Sequence, residues 1–301
     1  MKKFILALSL IIIFFQINIT SYANGEENFH KKISKGVTNK VPVLMYHHIM
    51  NSKDIKEMKC TQNATIISDS QFKKEMKFLH DNGYYTATLD ELRKFIKGQL
   101  KLPKKTVVIT FDDGYLSNLV YAYPILKKYH FNAAIFMIGN LMSKSPMAFD
   151  RTKLQYISSE ELDKYKDVFY YGSHTYGLHD IKDGKGYLVT SPKAKVIEDL
   201  NKSKNLLNTD YLAYPYGQYN SSIIECLKEK GYKMAFTIQQ RYAVRNSKLY
   251  EVPRFAILPN TSMSEFKDIV SGRKVVINGK LHTLLRLTKH KLSQVVHFFT
   301  N

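Results

Sequence analysis

The chain has 301 residues, and 45 Lys and Arg against 26 Asp and Glu leave a formal charge of +19. Such an excess draws an exported protein to polyanions such as anionic cell-envelope polymers, and no nucleic-acid motif accompanies it. The two cysteines, Cys60 and Cys226, match no metal-ligand spacing, and both a disulfide and two buried thiols stay open.

Residues 1–23 read as a signal peptide. Lys2 and Lys3 precede an apolar run from Phe4 to Phe15, and Ser21-Tyr22-Ala23 offers small residues for cleavage. The run is short for a membrane span, so cleavage after Ala23 is expected, with an uncleaved anchor as the rival. The protein is therefore expected to be secreted or held at the cell surface. Residues 24–40 form a lysine-rich, polar linker.

A strand is expected over 41–47, followed by an irregular stretch over 51–67. Phe72, Met76 and Leu79 lie at helical spacing within a helix over 70–80, stopped by Asp81-Asn82-Gly83. A second helix covers 89–96. Pro103 leads into a strand at 107–111, and a helix over 118–129 carries Pro124 as a kink. Strands follow at 133–138 and 168–173, separated by an insertion over 140–157 and a short helix from Ser158. Then come a helix over 192–207, a strand at 211–214, a helix over 221–230, a strand at 234–238 and another at 250–252.

Apolar strands alternating with amphipathic helices indicate parallel βαβ units. About seven such strands predict an α/β fold, a distorted (β/α)7-type barrel forming a single catalytic domain over 41–262. Residues 263–301 form a basic tail with no acidic residue after Asp268. Leu281, Leu284, Leu285, Leu292, Val296 and Phe299 suggest that it is helical. A helix closing the barrel is the simpler reading, and attachment to an anionic surface is the other.

In such barrels chemistry sits at the C-terminal ends of strands. Asp112, Asp113, His174 and Tyr216 each follow a predicted strand, which places them on one rim. In Thr110-Phe111-Asp112-Asp113-Gly114, Gly114 permits a turn that sends the two carboxylates different ways. One can then reach a metal while the other faces water. His174 and His179 are five apart, too far for one helix face, but a loop containing Gly177 can fold both onto one ion. One carboxylate and two imidazoles can hold a divalent metal with open positions. Tyr214-Pro215-Tyr216-Gly217 implies an unusual backbone course; taken alone it reads as a Pro-Gly turn lined by core aromatics, and the same course would let the Tyr216 N–H face an oxyanion. Trp is absent, so any aromatic platform must use Tyr, of which there are 21, or Phe.

Four segments together resemble the polysaccharide deacetylases of the NodB-homology type, the fourth carbohydrate-esterase family. They are Val43 to Ile49, Thr110 to Asp113, His174 to His179, and Ala213 to Gly217. The resemblance spans residues 41–262. It implies that Asp112 is the general base, that Asp113, His174 and His179 bind the metal, most simply Zn2+, and that Tyr216 supplies the oxyanion donor. Tyr214, Pro215, Gly217, His47 and Arg254 are expected to contact substrate. The five-residue His spacing and the Tyr-Pro-Tyr-Gly form are similar to the subgroup acting on poly-β-1,6-N-acetylglucosamine, a biofilm exopolysaccharide. Peptidoglycan N-acetylglucosamine is the alternative substrate. The Leu-x-His acid motif of many members is missing. Pro253-Arg254-Phe255 stands near its place, and His47 or His48 is left to approach the site. That gap keeps a carbohydrate-binding module on the same fold as a rival.

Overall fold

The computed structural model describes residues 36–58 and 63–273. The signal peptide, most of the linker, Cys60 and the tail beyond 273 lie outside the described residues. The main sheet has eight parallel strands: a two-residue strand, Tyr85–Thr86, pairs beside Thr106–Val107, and seven others form the body, β1 Val43–Tyr46, β2 Thr106–Phe111, β3 Ala133–Met137, β4 Phe169–Ser173, β5 Tyr211–Ala213, β6 Met234–Phe236 and β7 Phe255–Ala256. Their spatial order is β6-β5-β4-β3-β2-β1-β7. The sheet curls into a half-barrel. Edge strands β6 and β7 meet through a bridge between Phe236 and Val252, just before the chain enters β7.

The expected strand over 250–252 is therefore a single bridge, and the last strand lies three residues later. The short tract Phe255–Ala256 carries no alternating pattern long enough to announce itself. The stretch over 51–67 is also more regular than expected. His48–Met50 pairs in parallel with Ile66–Ser68, and Ser52–Glu57 is helical behind an Asn51 cap. These elements too are short for periodicity to detect.

β1, β2 and β3 are buried at every residue. Alternation divides them between two cores, as the period of a strand requires. Leu44, Tyr46, Ile109, Phe111, Ile135 and Met137 face one cluster, and Val43, Val108, Ala134 and Phe136 the other. Helices cover the first cluster: α1 Asp69–Asp81 and α3 Tyr123–Lys128, with α2 Leu89–Ile96 packing on the second. α4 Lys193–Leu207 and α5 Ser221–Glu229 bury a third cluster against Leu212 and Tyr214. Cys226 of α5 is a buried free thiol there. α6 Met263–Val270 buries Phe266, Ile269 and Val270 in the first core, so the domain packs through residue 270, beyond the expected boundary at 262.

The helix expected over 118–129 opens as a π-turn, Asn118–Ala122, before α3. The buried Asn118 side chain anchors this turn. Its Nδ2 donates to His47 O at 2.8 Å and its Oδ1 accepts from Ile49 N at 3.3 Å, which ties the turn to the end of β1.

Behind β1, Glu75 of α1 is buried and accepts from Tyr46 Oη (2.8 Å) and Gln71 Nε2 (3.0 Å). Burial pushes its carboxyl up from 4.5 to about 7. The folded state holds this proton more tightly than the unfolded one. The associated stability is complete below about pH 4.5 and is lost as pH rises through about 7. The gap corresponds to roughly 3 kcal/mol. Urea titrations at pH 5 and pH 8 should show that loss in the parent protein and a flatter profile in Glu75→Gln.

Candidate active site

β2 delivers both carboxylates. Asp112 is still held like a strand residue, its N–H donating to Tyr46 O at 2.9 Å. Asp113 (φ 73°) and Gly114 (φ 80°) then turn the chain through left-handed backbone. A Cβ on Gly114 would stand 2.8 Å from the Met137 sulfur, so glycine is needed there for space as well as conformation. The turn separates the neighbours, with Asp113 facing the histidines and Asp112 facing Arg254.

β4 ends in Ser173, and His174 leaves it with its N–H on Met137 O. His174 Nδ1 lies 2.8 Å from Ala213 O. A carbonyl only accepts, so Nδ1 carries the proton and Nε2 presents a lone pair. That Nε2 is 3.5 Å from Asp113 Oδ1, and His179 Nε2 is 3.3 Å from the same oxygen. Ligand atoms at zinc distances and tetrahedral angles stand about 3.4 Å apart. One carboxylate oxygen and two imidazole nitrogens therefore fit a divalent ion of that class. Burial pushes His174 down to about 4, which keeps it neutral, as a ligand must be.

Burial alone would raise the Asp112 carboxyl. The charge of Arg254 and its hydrogen bonds to the carboxylate reverse this and hold it below the ordinary carboxylate value. Asp113 is likewise pushed up by burial and brought well below that value by His179, His47 and His174. Both are anions at neutral pH.

These groups open into a cavity of about 330 Å³. His47, Asp112, Asp113, His174, His179, Tyr214 and Tyr216 line it. Its apolar wall comes from Leu141, Leu154, Tyr156 and Leu258. Tyr216 has left-handed backbone (φ 56°, ψ 12°) between Pro215 and Gly217. Its hydroxyl donates to His179 O at 2.7 Å, and its ring packs 4.9 Å from the His179 ring.

The structure separates the two candidate histidines of the first segment. His47 lies on the cavity wall, whereas His48 is buried and stacks on Tyr115 at 4.8 Å. Burial pushes His48 down to about 4. Three residues expected at the substrate sit elsewhere. Pro215 is buried beneath the turn. Gly217 lines a neighbouring cleft with Lys185, Gln218 and Gln239. Arg254 is fully buried behind Asp112, gripping both carboxylate oxygens at 2.7 and 2.8 Å.

Sequence reasoning passed over Tyr115, Leu154, Tyr156 and Leu258. Tyr115 follows the Asp-Asp-Gly turn and was findable from it. Tyr156 comes from the irregular stretch over 140–157 and reaches the site only by pairing with Tyr115, with rings 5.4 Å apart.

A family profile described as polysaccharide deacetylase matches residues 99–235. The poly-beta-1,6-N-acetyl-D-glucosamine N-deacetylase of Staphylococcus epidermidis is 30% identical over 278 residues, 85% of this chain and 93% of that protein. The chain belongs to the polysaccharide deacetylase family. The Streptococcus pyogenes deacetylase PplD, solved with acetate, aligns with a TM-score of 0.64 at 26% identity, over 77% of this chain and 98% of its own. IcaB from Ammonifex degensii shares the fold, with a TM-score of 0.65 at 24% identity over 80% of this chain and 100% of its own. The profile match takes in Asp112, Asp113, His174, His179 and Tyr216 of this deacetylase. His47 and Arg254 lie outside it and enter the site through β1 and the segment before β7.

Proposed function

We propose that this polysaccharide deacetylase is an exported, divalent-metal-dependent N-deacetylase of poly-β-1,6-N-acetylglucosamine. The observation that carries the reading is the trio Asp113, His174 and His179, whose ligand atoms lie within 4.8 Å of one another beside the ionised Asp112. Zn2+ suits the two nitrogens and one oxygen. Bound there, such an ion supplies Lewis acidity toward an acyl oxygen.

The chain's own groups supply the rest. Arg254 occupies one lone pair on each Asp112 oxygen and keeps the carboxylate charged. Each oxygen retains a second lone pair, which accepts a proton from the attacking water. Water oxygen adds to the acetyl carbon. The Tyr216 N–H faces the oxyanion that develops, a role its left-handed backbone suits. Collapse breaks the C–N bond, and His47 on the cavity wall protonates the departing amine. Acetate and a glucosamine unit leave, and the proton on Asp112 passes back through solvent. Leu141, Leu154 and Tyr156 offer apolar surface to the acetyl methyl and the sugar face.

The choice of polymer is supported by the name of the staphylococcal relative and by the five-residue histidine spacing. Residues 1–23 support export, and the charge of +19 supports residence at an anionic cell envelope. Acetate release from poly-β-1,6-N-acetylglucosamine oligomers tests the reading, with peptidoglycan in parallel. Release should require zinc, stop with a chelator and return when zinc is restored. Release from peptidoglycan alone would move the substrate to the cell wall. Zinc uptake without acetate from either polymer would sink the deacetylation reading in favour of carbohydrate binding.

A further inference from the structure

The loop joining His174 to His179 must turn back on itself so that both imidazoles reach Asp113. Its backbone N–H groups then point away from the cavity and need acceptors. Helix α4 provides them. The Asp199 carboxylate, 7% exposed, accepts from Tyr176 N at 2.8 Å and from Gly177 N at 2.7 Å. The N–H of Leu178 adds a third backbone hydrogen bond to the same carboxylate. The loop is held from the other side as well. Thr175 O accepts from Gly139 N at 3.1 Å, and Tyr176 O from Asn140 N at 2.7 Å. A Cβ on Gly177 would stand 3.2 Å from Asn140 Nδ2, so the turn is tightly enclosed.

We propose that Asp199 is the positioning residue of the metal-holding loop: it sets the reach of His179 toward Asp113 and His174, and with it the affinity for the ion. The inference rests on the metal-dependent reading above. Asp199 touches neither ion nor substrate and acts only through the backbone of residues 176–178. The chemistry calls for a carboxylate. Three N–H donors converge on two oxygens, and an amide in the same place would set its own NH2 against one of them.

The test uses the full chain with zinc as the probe, its Kd read by competition with a chromogenic chelator. Asp199→Asn should raise the Kd by ~10–100-fold, the cost usual for a group that orients a metal ligand from behind. Acetate release should recover at saturating zinc, because the ligands and Asp112 are intact. Val196→Ala is the control for general destabilisation. Val196 is buried on the same helix in the cluster that holds Leu212 and Leu178, and its side chain has no polar atom to offer the loop N–H groups. Its melting temperature should fall while its zinc Kd holds. A Kd in Asp199→Asn within twofold of the parent overturns the inference. So does an equal loss of affinity in Val196→Ala. A parent protein that takes up no zinc overturns the metal reading itself, which is a different and separately visible result.

Discussion

Arg254→Met is expected to abolish most deacetylation and to destabilise the fold by about 3–5 kcal/mol, the cost of stranding one partner of a buried ion pair. Arg254 is fully buried, and its guanidinium lies 5.5 and 5.9 Å from the rings of Phe136 and Phe236. Besides Asp112, it donates from Nε to Thr237 O at 3.0 Å and from Nη1 to Thr110 Oγ1 at 3.3 Å. Removing it leaves the Asp112 carboxylate in the same interior without its ion-pair partner. The carboxyl then rises in pKa and ceases to be a reliable proton acceptor at neutral pH. Adding Asp112→Asn to Arg254→Met should return much of the stability while activity stays lost. Arg254→Lys should rescue little, since an ammonium cannot grip both oxygens in one plane. Urea unfolding and kcat/KM on acetylated oligomers read the two effects. A stable, active Arg254→Met would show that Asp112 keeps its charge by another route.

Asp112→Asn and His174→Ala should fail in different ways. On the proposed reading the first removes the proton acceptor and leaves Asp113, His174 and His179 in place, so kcat should fall by ~10²–10⁴ with zinc affinity little changed. The second removes a donor that is 3% exposed and locked by Ala213 O, so zinc affinity itself should fall. That loss should exceed the ~10–100-fold typical of outer residues. Parallel zinc titrations and acetate assays distinguish them. Equal loss of zinc in both variants would contradict the division of labour between Asp112 and Asp113.

Much of the fold was legible because its signals are local. Val107 to Phe111 is an unbroken tract of β-branched and aromatic residues, and the strand occupies Thr106–Phe111. The helical spacing of Phe72, Met76 and Leu79 became α1, with the Ser68 side chain capping Gln71 N. The Asp-Asp-Gly turn was legible for the same reason, since the glycine that permits it is the next residue. The π-turn at Asn118–Ala122 was not legible, because the hydrogen bonds that anchor it run to His47 and Ile49, 71 and 69 residues away. Nor was the role of Tyr156, which depends on a bridge to Tyr115.

By itself, the sequence determined the parallel α/β class, the placement of most main strands but not their ends, and the residue types available for ion binding and proton transfer. Periodicity, turn glycines and short motifs act over a few residues, so they survive in a linear reading. The tertiary structure alone decided what each of those groups faces. It buried Arg254 against Asp112, 142 residues distant, rather than at the substrate. It put His47 on the cavity wall and His48 beneath Tyr115, although the two are adjacent. It also set Asp199 under the loop between His174 and His179, 22 and 23 residues from its partners. The strand alternation that sends neighbours to opposite faces, and the curl that brings distant strand ends to one rim, arise only when the sheet assembles.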